Sequence, residues 1–305
     1  MSEQPPEKAL ATTVGALGEV IKLGKESPDA REAGVYAAKS LKIITQTVHT
    51  VLLPLAAANY GATRFADYMK RRFEGELAER LDVVPDEDII SPRAVVAGPV
   101  LDALVYAHDE TELRRLYLSL LASAMDSRSS LGAHPAFVDV LRQLDATEVV
   151  FLRGVFADKE YIAPIARVKI KAESGEGASE EATHILDWRD DDGKALVPDR
   201  IATYVDNWIR LGLVEVMYDA YLTAAGVYGW VNTRPEYQEV QARAERPEAI
   251  EFDKGVIRAT NFGRQFAQAV RIDDAPAESV RAGMGDWRAA AQAAASAGDT
   301  DASEG

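Results

Sequence analysis

Four histidines and one acidic run are the residues of this chain whose chemistry is tested first. His49, His108, His134 and His184 are the imidazoles available for metal ligation or proton transfer. A zinc-binding helix sets two histidines at i,i+4, so that both rings leave one face. No histidine here has a second one at that spacing. His134 precedes Pro135 at an expected helix start, where its ring bonds backbone groups, and His108 abuts Asp109 in a similar capping position. The run Asp187, Asp190, Asp191, Asp192, Gly193 invites a calcium reading. Aligned on Gly193, an EF-hand loop would need ligands at Trp188 and Asp199, where indole cannot ligate and the closing Glu is missing. A solvated acidic turn is the better description. There is no phosphate-cradling G-x-x-x-x-G-K-[ST], no G-x-G-x-x-G opening a helix and no G-x-S-x-G elbow. With no cysteine, the chain has neither a thiolate nucleophile nor a disulfide. Sequence spacing therefore nominates no catalytic residue, no cofactor-binding residue and no metal ligand. The expectation is a protein without enzymatic activity, an enzyme whose residues meet only in the fold being the remaining alternative.

The elements around these residues read mostly as helices. Segments 8–24 and from Ser27 past Lys42 carry helical apolar spacing. Phe65, Met69, Phe73, Leu77 and Leu81 repeat every four residues, with Arg71, Arg72, Glu74, Glu76, Glu79 and Arg80 between them. That is a helix with one buried and one charged face. Ser91-Pro92 starts another helix, which Gly98-Pro99 should kink or restart. Asp109 and Glu112 form a capping-box variant ahead of Leu113, Leu116, Tyr117, Leu120, Leu121 and Ala124. A polar loop at 127–132 leads to a helix opened by Pro135, and Asp145 with Glu148 repeats the capping pattern. Short connections between successive helices predict an antiparallel bundle.

The pattern changes after residue 157. Residues 161–170 alternate weakly and read as an edge strand, which Pro164 permits. Residues 172–183 read as a flexible acidic loop. Pro198 opens a helix with Ile201, Val205, Trp208 and Ile209 inward, ended by Gly212 as a left-handed cap. Residues 213–216 and 255–258 read as strands, and Thr260 or Asn261 caps a last helix containing Phe262, Phe266 and Val270. This order is that of a winged-helix-like unit. The expected fold is mainly α, with a helical domain at 1–157, a small α+β winged-helix-like domain at 158–272 and an acidic, Ala/Gly-rich mobile tail at 273–305.

Charge and hydropathy narrow the partners. The formal net charge of −15 repels phosphate backbones at long range. A locally acid-free basic stretch, Lys254, Arg258, Arg264 and Arg271, is modest beside it, so nucleic acid is a disfavoured partner. Residues 43–63 contain no Asp, Glu, Lys or Arg. Thr45, Gln46, Thr47, His49, Thr50, Pro54 and Asn59 interrupt the run, which favours a packed amphipathic helix over a spanning one. The polar start MSEQPPEKAL carries no secretory apolar core, and the expected location is cytoplasmic.

The chain resembles the abortive-infection alpha family of bacterial proteins from about Leu53 to Val270. The stretch LRRLYLSLLASAMDSRSSLGAHPAFVDVLRQLDATE looks like the family's leucine-rich helix, its His-Pro-x-Phe start and the following cap. IRLGLVE and GVIRATNFGRQFAQAV resemble its Arg-Leu-Gly-Leu and Thr-x-x-Gly-x-x-Phe patterns. Ala259 replaces the aliphatic residue before Thr260, and the cysteine sometimes seen after the final Phe is absent. The resemblance implies resistance to bacteriophage and carries over no catalytic residues. The leading expectation is a non-enzymatic phage-defence protein working through protein–protein contacts or self-association, with no small-molecule substrate or cofactor. The alternatives are a membrane-active effector releasing residues 43–63 on a trigger, and a winged-helix nucleic-acid adaptor.

Overall fold

The structure, a computed structural model, describes residues 62–157, 160, 162–274, 283–284 and 289. The helices expected over 8–24 and 27–42, residues 43–61 of the apolar run, and the tail from 275 onward apart from 283–284 and 289 lie outside these. The chain divides into two compact units. The described residues up to Ala146 group with Ala269–Arg271, and those from Thr147 to Gln268 group with Ile272.

The first unit opens with α1 (Ala62–Tyr68), a π turn at Met69–Phe73 and α2 (Glu74–Leu81). The π turn has a sequence cause. A repeat of four overshoots a 3.6-residue turn by roughly 40° each time. One wider turn absorbs the drift: Phe65, Phe73, Leu77 and Leu81 of the expected stripe are buried, while Met69 is half-buried and Tyr68 takes its place in the core. Next come α3 (Ala94–Ala107), α4 (Thr111–Met125) and α5 (Ala136–Leu141). α3 starts two residues beyond Pro92 and runs as one helix through Pro99. α4 is the central rod of this unit, buried on every side from Arg114 to Met125 rather than along one stripe. Its Arg114 donates to Glu76 Oε2 at 3.1 Å and to the His108 carbonyl. The expected capping box does not form. Glu110 occupies the N-cap without a side-chain bond, Asp109 faces Arg64 at 3.8 Å, and Glu112 pairs with Arg115 at 3.6 Å.

The second unit overturns the expected fold class of a helical bundle with a winged-helix-like domain. After α6 (Ala146–Phe156), the chain forms β1 (Ile162–Lys171), β2 (Ala178–Ile185) and β3 (Trp188–Arg189). It continues through α7 (Ile201–Arg210), β4 (Val214–Met217), α8 (Pro235–Arg243), β5 (Ile250–Ala259) and α9 (Asn261–Ala269). Four strands make a curled antiparallel sheet, ordered β2-β1-β5-β4, and a short β6 (Gly283–Met284) pairs with β3. A winged unit pairs its two wing strands and little else. Here β4 and β5 do pair, Val214 opposite Ala259, but the other edge of β5 is taken by β1 from Ile162↔Arg258 to Ile170↔Ile250.

Residues 161–170 are thus no edge strand. β1 has neighbours on both sides from Ala166 to Ile170, and Pro164 is tolerated because it lies beyond Ala166, the last position paired with β2. Half of the expected acidic loop is strand β2. Its sequence, ASEEATHI, is poor in strand formers, and it owes its conformation to pairing with β1. One face of the sheet is apolar. Ala166, Val168 and Ile250 pack there against Val227, Tyr228, Trp230, Val231 and Val240 from the long β4–β5 connection. Arg234, fully buried, forks onto Glu236 and donates to the carbonyls of Trp188 at 2.8 Å and Leu196 at 2.7 Å.

The strand–helix joint at β4 and α9 follows the sequence closely. Gly212 takes φ +72°, as a left-handed helix cap requires. The Thr260 N–H donates to the Leu213 carbonyl at 3.0 Å, and its hydroxyl accepts from the Gly263 N–H at 2.8 Å, capping α9.

Candidate functional site

On the polar face of the sheet, titratable side chains of the second unit gather around Tyr218 and Asp253. The β1–β2 register slips twice, between Ala166 and Val168 and again between Val168 and Lys169. Such bulges redirect side chains. His184 sits in the irregular stretch with φ +54°, a region that non-glycine residues adopt at a cost. Its Nε2 lies 3.2 Å from Asp206 Oδ1 of α7, and its Nδ1 lies 3.2 Å from the Tyr218 hydroxyl just after β4. The same hydroxyl accepts from the His184 backbone N–H at 3.3 Å and donates to the Ala166 carbonyl at 3.5 Å. Below it, the Arg167 guanidinium stands 4.5 Å from the Tyr218 ring centroid and pairs with Asp253 at 2.9 Å and Glu180 at 3.0 Å. Lys169 completes this cluster, 2.7 Å from Asp253. A β-carbon on Gly255 would stand 2.7 Å from the Tyr218 ring, so glycine leaves the space the ring fills.

Carboxylate, imidazole and phenol in a row have the order of a proton relay. The electrostatics favour a different role. Burial pushes the Tyr218 phenol up to about 12, against the backbone bond from His184 and the nearby Arg167 charge. A phenol held protonated donates a hydrogen bond, and this one has the Ala166 carbonyl to receive it. Asp253 is held below the usual carboxylate range: burial opposes this, but the hydrogen bonds from Lys169 and Arg167 outweigh it. The cluster ties three strands and α7 together around a bulge.

The other residues singled out from sequence are also engaged in backbone work. His134 Nδ1 accepts from the Ala136 N–H at 3.1 Å, as expected of a helix start. His108, buried, bonds the Val105 carbonyl through Nδ1 at 3.0 Å, and its Nε2 sits 3.7 Å from Asp109. His49 lies outside the described residues. In the acidic run, Asp190 Oδ1 accepts from the N–H groups of Asp192 and Lys194, while Asp187 pairs with Arg189 at 2.9 Å. Among the described residues, no group of three or more His, Asp or Glu is placed to hold a metal ion. Of the basic stretch, Arg258 pairs with Glu215, Arg264 bonds the Ala259 carbonyl, and Arg271 donates to the Arg80 carbonyl at 2.7 Å. Lys254 alone of the four meets aromatic rings, those of Tyr221 and Tyr228. No described helix is long and apolar enough to cross a membrane.

Sequence reading missed the cluster because its members are far apart. Asp206 lies 22 residues from His184 and Tyr218 lies 34 away. The one local signal is Gly255 inside a strand, which marks a close approach of another group.

The model of the family described as abortive infection alpha matches residues 66–270. This chain belongs to the abortive infection alpha family. Comparison with curated proteins and with solved structures gives no match. The abortive infection alpha segment begins within α1 and ends just past α9, so it takes in both units. The two short patterns of the abortive infection alpha resemblance, Arg210–Leu213 and Thr260–Phe266, meet at the β4–α9 joint, where Thr260 bonds the Leu213 carbonyl.

Proposed function

We propose that this abortive infection alpha protein protects a bacterial cell against phage from the cytoplasm, through protein–protein contacts, and performs no reaction of its own. The observation that carries the defence reading is the family match over residues 66–270. The non-catalytic reading draws support from the sheet cluster. Its most reactive-looking groups are bound to backbone atoms and to each other, and the phenol is held in its unreactive, protonated form.

Two experiments test the halves separately. Plating a broad phage panel on cells with and without the gene should show reduced plaque formation with it; equal plating overturns the defence reading. Asp206→Asn and Tyr218→Phe should both keep protection, because Asp206 is largely exposed and Tyr218 keeps its ring. Loss of protection by both variants, with each still folded at the growth temperature, would overturn the non-catalytic half. Chemical cross-linking in infected cells should trap the protein on a partner or on itself. A protecting protein that stays uncross-linked at every stage of infection counts against contacts as its mode of action.

A further inference from the structure

Among the described residues, Lys254 is the cation of the sheet strands that makes no ion pair. Its neighbours on the strands, Lys169 and Lys171, pair with Asp253 and Glu251. The Lys254 ammonium instead stands 5.7 Å from the Tyr221 ring centroid and 5.6 Å from that of Tyr228. It does so at a groove of about 340 Å³ between the start of the β4–β5 connection and β5. Cavities of a few hundred Å³ are the size that small ligands fill.

The lining of the groove has a definite chemistry. Among the described residues, no Asp or Glu lines it, in a chain with 49 acidic residues. The Tyr228 hydroxyl is spent, accepting from the Leu222 N–H at 3.1 Å and donating to the Gly255 carbonyl at 2.7 Å, so that ring is a fixed wall. Tyr221 is 55% exposed, and its ring is open to a stacking partner. Between them run Thr223, Ala224, Ala225 and Gly226, whose small side chains let a ligand reach the backbone; Gly226 takes φ +77°. Among the described residues, the N–H groups of these four donate to no protein atom, and the Asn232 amide has no hydrogen-bond partner. An ammonium and open backbone donors select an anion. An open aromatic ring selects a flat body beside it.

We propose that this groove binds a small anion carrying a flat ring, of the class and size of a nucleoside monophosphate. The phosphate sits at Lys254 and the 223–226 backbone. The ring stacks on Tyr221, and Asn232 reaches its polar edge. The inference stands independently of the defence reading and gives the protein a chemical input.

Isothermal titration of the full chain with AMP, GMP, CMP and UMP tests it, with inorganic phosphate and adenosine as separate arms. At least one nucleotide should bind, more tightly than either phosphate or adenosine. Lys254→Gln removes a charged hydrogen bond and should weaken that nucleotide about tenfold or more. Tyr221→Ala should weaken the nucleotide and leave phosphate binding unchanged. Both side chains are exposed at the groove, and thermal melts should show both variants folded. No binding by any of the four nucleotides at millimolar concentration overturns the proposal. So does wild-type affinity in folded Lys254→Gln, and phosphate alone binding as tightly as the nucleotide points to a plain anion site instead.

Discussion

A β-carbon on Gly263 would stand 1.9 Å from the Leu213 carbonyl oxygen and 2.8 Å from its carbonyl carbon. The obstacle is backbone, fixed by the bond from the Thr260 N–H to the same oxygen. α9 therefore lies directly on the strand start, and only glycine permits it. Gly263→Ala must push α9 away from Leu213 and lift Phe266, which is fully buried. The expected cost is about 3 kcal/mol, at the top of the range for overpacking in a core. Urea denaturation of wild type and variant measures it, and a loss below the error of the extrapolation would contradict this packing.

Thr260 does two jobs at the same joint. Its hydroxyl oxygen accepts from the Gly263 N–H at 2.8 Å, while its hydrogen goes to the Gly212 carbonyl. Thr260→Val keeps the shape and loses both bonds. The expected destabilisation is about 1–2 kcal/mol, the value of a helix cap. Thr260→Ser keeps the hydroxyl and should stay within about half of that loss. Equal melts of the Val and Ser variants would show that the hydroxyl contributes nothing.

These two motifs were legible in the sequence because cap, glycine and apolar spacing are local. Gly212 as a left-handed cap and Thr260 as an N-cap both hold. Strands β1, β4 and β5 were legible too, but β2 and the joining of the four into one sheet were not, for reasons that are themselves physical. β2 has few strand formers and reads as a solvated acidic loop, since its pairing partner is the strand before it, and its two adjacent glutamates, Glu180 bonded to Arg167 and Glu181 to Arg243, break any apolar alternation. β1 reads as an edge strand because of Pro164, yet the proline falls where β2 has already ended. α4 reads as amphipathic because Arg114, Arg115, Ser119 and Ser123 are polar. All four are buried, and Arg114 finds Glu76 38 residues away. The site residues follow the same rule: His184, Asp206 and Tyr218 are unremarkable singly, and only the fold assembles them.

Arg234 shows what the β4–β5 connection costs to disturb. Its guanidinium has no exposed surface, forks onto Glu236 at 2.7 Å and 3.0 Å, and donates to the Trp188 and Leu196 carbonyls. Arg234→Ala strands a largely buried carboxylate and two carbonyls. Breaking a buried pair in this way costs about 3–5 kcal/mol. Arg234→Lys restores the charge but not the planar fork and should recover only part of it. Thermal unfolding of both variants checks the order wild type, Lys, Ala. A Lys variant as stable as wild type would mean that charge alone matters there.

The Tyr218 phenol makes stability depend on alkaline pH in a defined direction. Burial raises it to about 12 in the folded chain, against about 10 for a free tyrosine. Between those values the folded state holds a proton that the unfolded state has released. The contribution is therefore complete below pH 10 and is lost as pH rises through 12. Tyr68 and Tyr117 are raised by burial too, so the wild-type curve falls on this side for several reasons. The informative quantity is the difference between wild type and Tyr218→Phe. The variant lacks the hydroxyl's bonds to His184 and Ala166 and should be less stable by about 1 kcal/mol at pH 8. That gap should close and then reverse in sign between pH 10 and 12, as measured by chemical denaturation at each pH. A gap that stays constant over this range would show that Tyr218 ionises as an ordinary exposed tyrosine, and that the bulge at His184 is held by something other than its hydroxyl.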